Sequence, residues 1–198
     1  MEKIAKLAKS KTQSSPRPRR LCSIDASTNS LAFAIFDGND IYCVGKIVFE
    51  GRTVYDKVAD ASKKCASFFK LFEIDKIVIE HTVFLNSPKT AADLALVQGA
   101  MLGAAGQCGI QTAGAINPIA WQTFLGNKKL TKEEKLKITR DHPGKSTSWY
   151  KNFEREFRKQ RTIKLINIEY DKLIDDNDIA DAVGVGHYAI NNWEKIGA

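Results

Sequence analysis

The 198-residue chain lacks several features, and each absence removes a class of protein. No uncharged apolar run reaches the roughly 20 residues of a membrane helix. The most apolar stretch, 91–105, is interrupted by Asp93 and Gln98. The N-terminal segment has no signal-peptide apolar run either, so a cytoplasmic protein with no membrane partner is expected. Its four cysteines, Cys22, Cys43, Cys65 and Cys108, show no Cys-x-x-Cys spacing, which argues against a disulfide framework or a zinc site. They read as small core hydrophobes in a reducing compartment. There is no phosphate-binding glycine loop and no Ser/His/Asp signature. The three histidines also offer little chemistry. Strand alternation turns His81 away from Glu80, His142 falls in an expected solvated loop, and His187 lies two helical turns beyond Asp181.

The chain does have an uneven charge. The total is +7, but residues 1–20 carry seven Lys or Arg against Glu2, and residues 127–164 carry thirteen against five acids. The remainder is acidic. Two basic segments on an acidic body suggest a polyanion partner, although solvated tails and helices also account for Lys/Arg runs. Residues 1–20 read as a flexible basic arm, with Ser14, Ser15, Pro16 and Pro18 discouraging a packed helix. Residues 21–198 read as one domain with a basic insertion at about 127–164.

Within that domain, 21–25, 31–36 and 41–49 are β-type runs, and Asp37-Gly38-Asn39-Asp40 supplies a turn between the last two. An antiparallel meander follows. Val54, Val58, Ala61, Cys65, Phe68 and Phe72 recur at helical spacing across 53–72. The run Ile77-Val78-Ile79 predicts a strand covered on both faces. Ser87 and Pro88 then start a helix to about Gly106 that is apolar almost all round, and so belongs to the core or to a subunit interface. A fifth strand at 111–115 and a short helix from Asn117-Pro118 complete a mixed-sheet α/β domain. In the basic insertion, Trp149, Tyr150, Phe153 and Phe157 interleave with Lys151, Arg155, Arg158, Lys159 and Arg161. That mixture suits base stacking with phosphate contacts, and equally an amphipathic helix burying its aromatic rings.

Four carboxylates stand out. Asp25 interrupts an apolar strand, where an unpaired charge is costly. Glu80 ends the fourth strand. Asp178 and Asp181, three residues apart, share one face of a helix whose Ala180, Ala182, Gly184 and Gly186 permit close approach to a sheet. Asp175 and Asp176 are explained by helix capping, but two like charges on a packed face need a cation between them. Hard oxygen donors suit Mg²⁺, with Mn²⁺ as a substitute, and two ions about 4 Å apart favour phosphodiester hydrolysis.

The pattern Ile24-Asp25-Ala26-Ser27, Ile79-Glu80 followed by Val83-Phe84, Gln98-Gly99 and Asp178-x-x-Asp181-Ala182 resembles the RuvC family of Holliday junction resolvases. The resemblance implies a ribonuclease H-like fold with a five-stranded mixed sheet, three antiparallel strands and then parallel ones, flanked by helices. It also implies a homodimer that nicks branched DNA symmetrically with Mg²⁺. Asp25, Glu80, Asp178 and Asp181 take the catalytic, metal-binding places, Phe84 takes that of a base-contacting aromatic residue, and Lys132 falls near a DNA-contacting lysine. Lys128, Lys129, Arg155, Arg158, Lys159 and Arg161 are expected phosphate contacts from the basic insertion. Trp121 stands where the family carries another lysine, Ala26-Ser27 stand in place of Pro-Gly, and 127–175 is longer than in bacterial members, as in a diverged, phage-type protein. Two alternatives remain. Ile24 to Ser30 also resembles the first phosphate loop of actin- and hexokinase-type ATPases, and a non-catalytic nucleic-acid-binding module would use its carboxylates only as caps.

Overall fold

A computed structural model describes residues 18–82 and 87–196, so the expected arm lies almost entirely outside the described residues. Five strands form one sheet in the order β3-β2-β1-β4-β5: β1 (Arg20–Ala26), β2 (Ser30–Asp37), β3 (Asp40–Val48), β4 (Lys76–Glu80) and β5 (Gln111–Ile116). The first three strands pair antiparallel, whereas β4 pairs parallel with both β1 and β5. This is the ribonuclease H-like arrangement expected from the sequence. The β2–β3 turn reverses at Gly38, whose φ of +62° favours a residue without Cβ.

Alternation along β1 divides the core in two. Cys22 and Ile24 face one cluster with Phe33, Ile77 and Ile79, covered by α1 (Val54–Leu71) and α2 (Pro88–Gln107). Helix α1 starts at a capping box in which Thr53 and Asp56 satisfy each other's exposed backbone N–H groups. Helix α2 buries only Val97, Met101, Ala104 and Ala105, while Leu96 is 44% exposed. The all-round apolar pattern therefore overstates its burial. One face is core and the other, with Ala92, Leu96, Gly99 and Gly103, is open.

Leu21 and Ser23 face the opposite side, where α6 (Asn177–Asn191) lies against the sheet beside α3 (Pro118–Phe124), α5 (Thr147–Tyr170) and the short α7 (Trp193–Ile196). The approach is close enough that a Cβ on Gly186 would sit 2.1 Å from the Phe36 ring and 2.5 Å from Ser23 Oγ. The buried Ser23 hydroxyl donates to Ala182 O at 2.7 Å, so it joins sheet and helix without an unsatisfied polar group.

Helix α4 (Lys132–Asp141) and α5 hold the basic insertion, joined across Pro143-Gly144. His142 differs from its expected solvated state. It caps α4 and packs 5.0 Å from both Trp149 and Phe153, while Tyr150 Oη donates to its carbonyl at 2.5 Å. Aromatic area is worth more against another ring than in water, so these side chains form a small satellite core. Among the described residues, no helix is long and apolar enough to cross a membrane.

Candidate active site

The parity that buries Ile24 and Ile79 on the α1 face turns Asp25 and Glu80 towards α6. The β1/β4 pairing ends at Ile24 with Ile79, so Asp25 and Glu80 are neighbours one step further along. Burial favours the protonated form of both carboxyls. Burial, then the charges of Glu80, Asp181 and Asp178, push the Asp25 carboxyl up to about 8. Burial raises Glu80 as well, offset by hydrogen bonds from Trp121 and Asp25. The Trp121 indole Nε1–H donates to Glu80 Oε1 at 2.8 Å. Trp121 is completely buried, and its ring fills the space a Cβ on Gly184 would need, so Glu80 is held by a side chain with no freedom of its own.

Helix α6 contributes the other two acids. Asp176 caps it, with Oδ1 accepting from Asp178 N at 2.8 Å and Ile179 N at 3.1 Å, as expected of an acid at a helix start. One turn on, Asp181 turns inward, and burial followed by the Glu80 and Asp178 charges raises its carboxyl to about 7, against the pull of Lys159 and Arg158. Asp178 takes a different partner: its Oδ2 lies 2.5 Å from Lys46 Nζ, which also sits 3.2 Å from Asp176 Oδ2. Among the described residues, no three Asp, Glu, His or Cys side chains converge as ligands of one ion. The donor chemistry nevertheless fits a hard divalent cation. The oxygens are carboxylate, and the charges of Glu80 and Asp178 raise the proton affinity of both Asp25 and Asp181.

The chain was compared with known proteins. No family model matches, and no curated protein matches by sequence. Solved structures do match. RuvC of Thermus thermophilus in complex with a Holliday junction substrate superposes with a TM-score of 0.61 at 11% identity, over 85% of this chain and 91% of that one. A second Thermus thermophilus RuvC structure gives 0.61 at 13%, over 89% and 97%. The yeast mitochondrial Holliday junction resolvase Ydc2 gives 0.51 at 11%, over 91% and 82%. The chain has the RuvC fold.

Beside Asp181 on this RuvC-like frame opens a cleft of about 380 Å³ lined by Lys151, Arg155, Arg158 and Lys159 of α5. Arg158 donates to Gln122 Oε1, and its Nε is buried without a hydrogen-bond partner. The expected phosphate-contacting residues are thus placed unequally. Arg155, Arg158 and Lys159 line the cleft, while Lys128, Lys129 and Lys132 are exposed on the approach to α4. Arg161 is tied inside the fold: Nε donates to Asn127 Oδ1 at 2.7 Å, Nη1 to Glu134 Oε1 at 3.4 Å, and Nη2 to the Lys128 carbonyl. Phe84 lies outside the described residues.

Two residues of the site escaped sequence reasoning. Lys46 sits in a strand read only for its apolar neighbours, and its partner Asp178 is 132 residues away. Trp121 had a signal, as an aromatic residue where the resemblance expects a lysine, but no local pattern ties it to Glu80, 41 residues away. His187 takes another partner, its Nδ1 2.7 Å from Tyr170 Oη, and burial pulls its ring below the usual histidine range.

Proposed function

We propose that the protein is a divalent-metal-dependent endonuclease that resolves Holliday junctions or related branched DNA by paired, symmetric nicks. One observation carries this reading: a mutually repelling set of carboxylates, gathered from two strands and one helix, lies beside a basic cleft on a RuvC-type frame. Asp25, Glu80 and Asp181 would hold Mg²⁺ or Mn²⁺, with Asp178 completing the set. When bound, the ion supplies positive charge that lowers the pKa of water and stabilises charge on phosphate oxygens.

The chain's own residues do the remainder. Trp121 fixes the orientation of Glu80, and the rigid contact of α6 with the sheet fixes Asp181 relative to Asp25. Arg158 and Lys159 bind a phosphate next to Asp181, and Lys151 and Arg155 extend that contact along the strand. A four-way junction has twofold symmetry, so paired nicks need two sites related by the same symmetry. The open face of α2, where nothing lies within 4 Å of a Cβ placed on Gly99 or Gly103, is the proposed dimer surface.

The test is cleavage of a panel of branched DNAs in Mg²⁺ or Mn²⁺. Asp25→Asn should bind a four-way junction with unchanged affinity and lose nicking by at least 100-fold. Unimpaired cleavage by this variant would sink the proposal, and binding without any metal-dependent cleavage by wild type would favour a non-catalytic module.

A further inference from the structure

Lys46 occupies a position that neither the fold nor phosphate binding requires. In the antiparallel ladder Lys46 pairs with Ala32, and Ala32 with Asp25. Directly paired residues share a sheet face, so Lys46, Ala32, Asp25 and then Glu80 form one row across β3, β2, β1 and β4, under the first turn of α6. Ala32 contributes only a methyl, leaving a cation at one end of the row and two acids at the other. From that end Lys46 Nζ reaches Asp178 Oδ2 at 2.5 Å and Asp176 Oδ2 at 3.2 Å. The two acids are not equivalent. Asp176 is fixed by capping α6 through its other oxygen, whereas the Asp178 side chain is 44% exposed with Lys46 as its one ion-pair partner among the described residues. Asp178 is also the weakest of the three carboxylates acting on Asp25.

We propose that Lys46 is a positioning residue that, anchored on Asp176, holds Asp178 out of the Asp25–Glu80–Asp181 set, so that a divalent cation and Lys46 compete for the same carboxylate. This rests on the metal-dependent reading above and adds a control to it. In the ion-free protein the lysine neutralises Asp178, and loading an ion requires Asp178 to turn from Nζ towards the row. A purely structural role would give Lys46 little to do, because a partly exposed Lys–Asp pair contributes little to stability.

The two roles predict opposite signs. Mn²⁺ binding is measured on the full chain without DNA, from the electron paramagnetic resonance signal of free Mn²⁺, for wild type, Lys46→Met, Lys46→Arg, Asp178→Asn, the Lys46→Met/Asp178→Asn pair and Asp25→Asn. Competition predicts that Lys46→Met binds Mn²⁺ about five- to tenfold more tightly and that Lys46→Arg stays near wild type. In the Asp178→Asn background, Lys46→Met should change affinity less than twofold, since the contested carboxylate is gone. Unchanged or weaker binding by Lys46→Met overturns the inference. So does an equal gain in the Asp178→Asn background, which would mean only a long-range charge effect. These failures leave the metal reading intact provided Asp25→Asn abolishes Mn²⁺ binding. Mn²⁺ binding indifferent to Asp25→Asn would overturn both.

Discussion

If Asp25 is held protonated by its neighbours, the ion-free protein should become less stable as pH rises, and Asp25→Asn should weaken this dependence. The folded carboxyl sits near 8 against an ordinary 3.8. Below about pH 4 both folded and unfolded chains carry the proton and there is no cost. Between 4 and 8 the unfolded chain has released it while the folded chain keeps it, so stability falls with pH through that window and levels off above it. Each tenfold in proton affinity corresponds to about 1.4 kcal/mol, so the ceiling is roughly 6 kcal/mol. Sharing of the proton with Glu80, together with water reaching a residue that is only half-buried overall, reduces the expected difference to about 2–4 kcal/mol. Asn keeps the size of Asp and cannot ionise. Urea unfolding of wild type and Asp25→Asn in EDTA should therefore nearly coincide at about pH 3.5 and diverge by about 2–4 kcal/mol in favour of the variant at pH 8.5. The depressed carboxyls of Asp56, held by Thr53, and Asp60, held by Lys64, act in the opposite sense but only as pH falls towards acid, and they cancel between the two proteins. Wild type that is equally stable at pH 5 and 8.5, with no advantage for Asp25→Asn, would refute the reasoning.

Adding Mn²⁺ at 100 times its dissociation constant should stabilise wild type by about 2.7 kcal/mol at pH 7.5 and leave Asp25→Asn unchanged, as thermal unfolding would report. Trp121→Phe removes the N–H that faces Glu80 and empties part of a fully buried site, so it should cost about 1–3 kcal/mol in urea unfolding and weaken Mn²⁺ binding several-fold. Gly186→Ala places a methyl inside the Phe36 contact and should destabilise by about 3 kcal/mol or more, read by the same unfolding curve. Lys159→Ala should lower the slope of log affinity against log salt for junction DNA by about 1, whereas Arg161→Ala should mainly destabilise the 127–134 segment, seen as faster amide exchange there.

The fold was legible because its signals are local. The Asp37–Asp40 turn, the helical spacing from Val54 to Phe72, the continuous apolar run of β4 and the Ser87-Pro88 helix start each depend on residues within a few positions of one another. Helix α2 was less legible because a sequence dense in alanine and glycine looks apolar on every side, and only the partners of Val97 and Met101 decide which side is covered. His142 was misplaced for a related reason. Pro143-Gly144 correctly mark a loop, but the aromatic rings that enclose His142 come from the next helix.

The candidate site divides along the same line, and Asp178 shows why. Sequence spacing alone puts Asp178 and Asp181 on one face and demands a cation between them, and that electrostatic requirement does not depend on the fold. Which cation answers it does. A lysine on β3 comes within reach only after two antiparallel pairings set Lys46 level with Asp25, a juxtaposition that no pattern within either segment encodes. The two acids, equivalent on the helix, then part: Asp181 turns towards the sheet and keeps a raised proton affinity, while Asp178 surrenders its charge to Lys46. Spacing thus points to the proposed ligands but not to their resting partners. A carboxylate that already has a lysine is a weaker recruit for an ion than one that has only another carboxylate.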